Sequence, residues 1–341
     1  MKDTGYVLGV DSGGSGVRFA LARVGDTDRA GGADRAGDAD RAGPLTAPVV
    51  SGTPVRTGPG GIEAGHLMEQ LAPAARELLA RVGGDGFAAV CVGAAGMATL
   101  GDELRARLPG LLVREWGVRR VALAADAVTA YAGALGLRAG AVVAAGTGLI
   151  GVGTDLVRWR RADGWGYLLG DCGGGAWIGR AGLEAAMRAF DGRDGGSAAL
   201  LARLEKAFGP AAGVPGQLYP RSDRAAVLAS FAPEVARCAA EDPVAAGILR
   251  EAARHIAGTT AAVCPAEGGE VALTGGLLKL GDVLLEPLRT EISVQVPRAR
   301  LVPAAGDPLD GALLIAAQLA HDEPSFPYDP RMLDVYGHQT R

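Results

Sequence analysis

No stretch of this 341-residue sequence approaches the ~18 uncharged apolar residues that a membrane-spanning helix needs, and Lys2 and Asp3 run straight into a strand-like segment. Membrane insertion and export are therefore not expected, and the chain reads as cytoplasmic. Cysteine is scarce: Cys91, Cys172, Cys238 and Cys264 lie far apart with no CxxC pair, which excludes a zinc knuckle or a disulfide framework and leaves reduced thiols. Lysine is scarcer still, with only Lys2, Lys206 and Lys279, while Ala, Gly and Arg dominate in the manner of a genomic composition bias. The net charge is -4 with both signs mixed along the chain, so no basic footprint for nucleic acid or an anionic membrane exists. Neither GxxxxGK[ST] nor a GxGxxG opening a helix occurs, and no helix-turn-helix segment precedes Tyr6.

What is present is a globular composition, 48% apolar and 21% charged, long enough for two domains at about 150 residues each, and two domains imply a cleft. Tyr6 to Val10 is an apolar run ending in Asp11-Ser12-Gly13-Gly14-Ser15-Gly16, and Val17 to Val24 resumes as a second strand, so a hairpin is expected. Residues 25–43 contain Asp-Arg-Ala-Gly three times with almost nothing apolar to bury, the pattern of a solvated, mobile hairpin loop. Gly61 to Val82 has helical spacing, Phe87 to Gly93 is a buried strand leading into Gly-Ala-Ala-Gly, and Val121 to Ala124 is a strand with Asp126 just beyond it at the start of a helix. At Gly136 to Gly140 a boundary is expected, because Ala141 to Ala145 begins a second strand, glycine turn and strand. Helices follow at Ala181 to Phe190, Ser222 to Ala240 and Pro243 to Val263, then the strand Val271 to Leu273, a Gly-Gly turn and a helix near Asp310 to Ala320. The class is α/β with mixed sheets flanked by helices. A small N-terminal domain of 1–136 plus about 320–341, and a larger one of 137–319, are expected.

Nucleotide phosphates need closely spaced backbone N-H donors, and glycine lets the backbone approach them. Asp11-Ser12-Gly13-Gly14-Ser15 and Gly146-Thr147-Gly148 are two such turns, each also readable as a plain hairpin. Gly275-Gly276, after Leu273-Thr274, could lie against an adenine ring or be an ordinary strand-to-helix turn. Asp11 could hold Mg²⁺ through water, or cap its own turn. Asp126 is the candidate general base for an attacking hydroxyl, with helix N-capping as the alternative. Gly164-Trp165-Gly166-Tyr167-Leu168-Leu169-Gly170-Asp171 packs aromatics, glycines and a carboxylate into one loop, an arrangement suited to a sugar: the carboxylate fixes hydroxyls and an aromatic face covers C-H surface. The alternative is a turn with two core aromatics.

In the order of DSGGS, GAAG, ADA, AGTG, GWGYLLGD with WIGR, then LTGG, the chain resembles the N-acetylglucosamine kinase family, of the BadF/BadG/BcrA/BcrD ATPase type, within the actin-like ATPase, sugar kinase and heat-shock ATPase superfamily. The resemblance covers the whole chain except the Asp-Arg-Ala-Gly insert. It implies two ribonuclease H-like (actin-like ATPase) domains with ATP between them, and ATP and Mg²⁺ as cofactors. It also implies Asp126 as base, Gly13, Ser15, Thr147 and Gly148 on the phosphates, Gly275 and Gly276 on adenosine, and Gly164, Trp165, Gly166 and Asp171 in the sugar pocket. Gly14 and Gly146 complete the two turns.

Two departures bear on the substrate. Cys172-Gly173-Gly174 follows Asp171 where the family usually continues with Glu-Gly-Ser, and Gly52 to Gly65 contains no Asn to hold the sugar, Arg56 and Thr57 lying nearest. The expected activity is transfer of phosphate to a small amino sugar, foremost N-acetylglucosamine at its 6-hydroxyl. N-acetylmuramic acid, glucosamine and aminocyclitols are alternatives. Two other classes compete: an activator ATPase of 2-hydroxyacyl-CoA dehydratases, and a non-catalytic ATP- or sugar-binding regulator. A homodimer is left open; nucleic acid and membrane partners are not expected.

Overall fold

A computed structural model describes residues 5–14, 16–25, 44–322 and 326–337. Ser15 and the Asp-Arg-Ala-Gly copies within 26–43 lie outside the described residues. In chain order the strands are β1 (Tyr6–Gly13), β2 (Gly16–Arg23), β3 (Val49–Ser51), β4 (Thr57–Gly58), β5 (Gly61–Ile62), β6 (Ala89–Ala94), β7 (Arg120–Ala125), β8 (Gly140–Ala145), β9 (Leu149–Thr154), β10 (Trp159–Asp163), β11 (Gly269–Thr274), β12 (Ala299–Val302) and β13 (Leu333–Tyr336). The helices are α1 (Ala64–Val82), α2 (Met97–Leu100), α3 (Asp102–Trp116), α4 (Asp126–Leu135), α5 (Gly175–Phe190), α6 (Ala198–Phe208), α7 (Val214–Leu218), α8 (Arg224–Ser230), α9 (Ala232–Cys238), α10 (Pro243–Val263), α11 (Asp282–Gln295) and α12 (Pro308–Ala320). The chain forms two compact units, residues 1–139, 154–159 and 303–341 in one and 140–153 with 160–302 in the other.

In the first unit the sheet runs β13-β7-β6-β1-β2-β3. Its centre, β1, β6 and β7, is parallel, while β2 and β13 run antiparallel to their neighbours. The central strands read as near-continuous apolar runs because both their faces are covered: Val7, Leu8, Val10, Val90, Cys91, Val92, Val121 and Leu123 are all buried. One face takes α12, a helix that the sequence reading places in the second domain. It belongs with the first because its backbone lies against α4: a Cβ at Gly311 would sit 1.9 Å from the Thr129 carbonyl oxygen, and one at Gly133 the same distance from that of Asp307. Asp307 starts α12 through a capping box with Asp310, satisfying amides that the helix itself cannot.

The second unit's sheet runs β10-β9-β8-β11-β12, with β8, β11 and β12 parallel. Its core is built by Ile178, Leu200, Leu204, Phe231, Leu249, Ile256, Leu284 and Leu288 from the helices packed around it. The single helix expected over Ser222 to Ala240 is two, α8 and α9, meeting at Phe231, because Pro233 has no amide with which to continue α8. The Gly-Gly turn after β11 leads into a 3₁₀ turn, Gly276–Leu280, and only then into α11. Among the described residues no helix is long and apolar enough to cross a membrane.

Candidate active site

Parallel strands in register bring their carboxyl ends together, and in the first unit those ends carry the predicted carboxylates. Asp11 pairs across to Gly93, and Gly93 to Ala124, so Asp11, the loop after β6 and Asp126 occupy one rim of the sheet. β7 passes into α4 without a connector. Ala125 takes the capping position and makes no side-chain cap; Asp126 is the first helical residue, half-buried, its Oδ1 accepting the Ala127 amide at 2.9 Å. Its place at the helix start faces it with the positive end of the helix dipole.

Asp11 has a partner that the sequence reading missed. Arg18, opposite it on β2, donates to Asp11 Oδ2 through Nε at 3.0 Å and Nη2 at 2.6 Å. The same guanidinium reaches Asp307 Oδ2 through Nη1 at 2.5 Å. Burial of Arg18 opposes its charge, but the hydrogen bonds and charges of Asp11 and Asp307 outweigh it and raise its pKa. Burial likewise pushes the Asp307 carboxyl up, and is outweighed by Arg18 and the amides of Asp310 and Leu309, which hold it below the ordinary carboxylate range. Arg18 was legible: once the tight turn sets Gly13 opposite Gly16, stepping back along both strands puts Arg18 opposite Asp11. Asp307 was not, being nearly three hundred residues away from Arg18.

Asp11 Oδ1 accepts no bond from a described residue, so this oxygen could hold a water of a hydrated cation while Arg18 secures the other. Among the described residues no group of three His, Cys, Asp or Glu side chains gathers. A Mg²⁺ here would therefore take most of its oxygens from water and nucleotide, which suits its preference for few carboxylates.

In the second unit β8 and β11 end side by side, Leu273 pairing with Val143 and Thr274 with Ala144, so Gly146-Thr147-Gly148 and Gly275-Gly276 form one rim. The first amides of α5 lack helical acceptors and are satisfied by the turn: Gly175 N-H donates to the Gly146 carbonyl and Ala176 N-H to that of Thr147, both at 2.8 Å. Gly146 N-H donates to Gly148 O at 3.0 Å. The Thr147 and Gly148 amides have no protein acceptor among the described residues. They are donors in waiting. Gly275, at φ 102°, has to be glycine, because a Cβ there would lie 2.2 Å from the Ala145 carbonyl oxygen. By contrast, a Cβ at Gly13, Gly14, Gly146 or Gly276 would meet no atom of the described residues within 4 Å, and none of the four has a left-handed backbone.

The Gly164–Asp171 loop follows β10. Gly164 and Gly166 take positive φ, 71° and 81°, and Trp165 between them is 59% exposed, with the Arg161 guanidinium 4.7 Å above its ring. Tyr167 packs on the core instead, so one aromatic of the loop is structural and the other is available. Leu168 and Leu169 are exposed at the tip. Asp171 is buried; its Oδ1 accepts the Trp165 amide at 3.0 Å and the Gly166 amide at 3.2 Å. Cys172 is half-buried, its Sγ 4.0 Å from the Gly170 carbonyl. Burial pushes the Cys91, Cys238 and Cys264 thiols up.

Arg56 and Thr57 lie in the first unit, beside the β4–β5 ribbon. The Arg56 guanidinium is paired with Glu63 at 3.1 Å and its amide donates to His66 Nδ1 at 3.0 Å; Thr57 is exposed.

The model of the BadF/BadG/BcrA/BcrD ATPase family matches residues 8–316. An N-acetylmuramic acid/N-acetylglucosamine kinase of Clostridium acetobutylicum is 28% identical over 239 residues, 67% of this chain and 76% of that protein. A solved structure of a candidate N-acetylglucosamine kinase from Chromobacterium violaceum is 27% identical, with TM-score 0.65, covering 92% of this chain and 98% of its own. A glucokinase of the ROK family from Streptomyces griseus shares the fold at 19% identity and TM-score 0.52, covering 92% of this chain and 100% of its own.

Proposed function

Because the chain belongs to the BadF/BadG/BcrA/BcrD ATPase family, with the actin-like ATPase fold of sugar kinases, we propose that it is an ATP-dependent kinase for a small amino sugar, foremost N-acetylglucosamine. The observation that carries this reading is the gathering of glycine turns at the carboxyl ends of β8 and β11, where the Thr147 and Gly148 amides have no acceptor among the described residues. Backbone donors left open beside glycines suit the close approach of an anionic ligand.

In this reading the amides of Gly13, Gly14 and Ser15, with those of Gly146, Thr147 and Gly148, take the ATP phosphates, and Gly275 and Gly276 lie against adenosine. The sugar rests on the Gly164–Asp171 loop, Trp165 covering C-H surface, with Cys172, Arg56 and Thr57 near its substituents. Asp126 orients the attacking hydroxyl and takes its proton as the oxygen bonds to the γ-phosphorus; the bond to the β,γ-bridging oxygen breaks and ADP leaves. Asp11 would hold a Mg²⁺ through water, and the ion would supply charge neutralisation on the phosphate oxygens.

The buried thiols of Cys91, Cys238 and Cys264 speak against the activator reading, which needs accessible thiolates to bridge an iron-sulfur cluster. The test is phosphorus NMR of the product made from N-acetylglucosamine and Mg²⁺-ATP. A monoester on the 6-oxygen supports the full assignment, a monoester on another oxygen replaces the position, and no phosphorylated product removes N-acetylglucosamine as the substrate.

A further inference from the structure

The loop proposed to carry the sugar is bracketed by Asp163 and Asp171, both in the left-handed region, at φ 58° and 56°. That conformation is uncommon for a residue with a Cβ, and aspartate is one of the few that adopts it, its short carboxylate making local hydrogen bonds. Asp163 Oδ1 accepts the Asp171 amide at 3.0 Å, and Asp163 Oδ2 accepts the hydroxyl of Thr259, a buried residue of α10. Asp171 in turn closes the loop by accepting the Trp165 and Gly166 amides on Oδ1. A chain of hydrogen bonds thus runs from a core helix through Asp163 to Asp171 and on to the backbone beside Trp165.

We infer that Asp163 and Thr259 are positioning residues of the sugar site: they fix Asp171, and through it the Trp165 ring, before any ligand arrives. The inference rests on the proposal that this loop holds the sugar. Oδ1 of Asp171 is committed to the loop's own amides, so the direction in which its Oδ2 is presented follows from its placement, which Asp163 fixes through the Asp171 amide. Preorganisation of this kind lowers the cost of binding, since the loop is ordered in advance.

The experiment uses the full-length protein. Asp163→Gly keeps the left-handed backbone at no steric cost and deletes the carboxylate, while also freeing the backbone at 163, so the Asn variant is read beside it. Asp163→Asn keeps an acceptor for the Asp171 amide and offers its NH₂ to the Thr259 hydroxyl, and asparagine tolerates positive φ. Amide exchange of the 164–171 segment, without sugar, is expected to quicken about tenfold or more in Asp163→Gly, the size expected for a hydrogen bond to a charged group. The KM for sugar is expected to rise by a similar factor while the KM for ATP holds, and Asp163→Asn is expected to restore both. Unchanged exchange, an equal rise in both KM values, or an Asp163→Asn as impaired as Asp163→Gly would overturn the inference. Wild-type protein that phosphorylates no sugar overturns the kinase reading instead, and the exchange measurement then judges the lock by itself.

Discussion

A Cβ added to Gly148 would lie 2.2 Å from Asp171 Oδ2, so the turn assigned to phosphate and the carboxylate assigned to the sugar loop are in contact. Gly146, in the same turn, has open space where its Cβ would be. The two glycines therefore separate structure from ligand. Gly148→Ala is expected to strain the fold by about 1–3 kcal/mol, seen as a fall of several degrees in thermal midpoint. Gly146→Ala should melt with the wild type and yet bind ATP more weakly by calorimetry. Equal ATP affinity in Gly146→Ala and wild type would show that no ligand approaches there.

Asp126 is the first residue of α4, and an asparagine there keeps an oxygen to accept the Ala127 amide while losing the charge that a base needs. Asp126→Asn is expected to lower turnover about a hundredfold or more while leaving ATP affinity near normal. Full turnover in this variant would remove Asp126 from the mechanism.

Asp307 gives the fold an acid-sensitive joint. Its carboxyl is held below the ordinary value of 3.8, so in the unfolded chain it binds a proton at a higher pH than in the native state. Its contribution to stability is complete above that ordinary value and is lost as pH falls through the lower native one. Arg18, whose pKa the two carboxylates raise further, stays charged throughout this window. Asp307→Asn keeps an acceptor for the cap and removes the charge. Its unfolding midpoint in urea should fall less steeply than that of the wild type below about pH 4. Parallel curves would contradict the role of the Asp11, Arg18 and Asp307 cluster.

Cys172 is half-buried while the other three cysteines are buried with raised thiol pKa values. At neutral pH iodoacetamide should modify Cys172 first, and the sugar substrate should slow that reaction. An equal rate with and without sugar, measured by mass spectrometry of the 172 peptide, would place Cys172 outside the pocket.

The glycine turns, the strands before them and the places of Asp11 and Asp126 were legible because they depend on local pattern: an apolar run of strand length with glycine or a carboxylate at its end. The partners were harder. Arg18 needed hairpin register, while Asp307 and Thr259 needed tertiary packing, which brings α12 onto the first sheet and α10 beside β10's end. Asp163 carried no signal, because an aspartate before Gly164 reads as an ordinary turn residue until its backbone angle is known. The split between α8 and α9 was written in Pro233, which the helical spacing around it obscured.

The most direct test of the central claim is ADP release by the purified protein with Mg²⁺-ATP across N-acetylglucosamine, N-acetylmuramic acid, N-acetylmannosamine, glucosamine, glucose and aminocyclitols, with Asp126→Asn as the blank. An amino-sugar-dependent release that the blank lacks is the predicted result. ATP binding without sugar-dependent release on any member would contradict it.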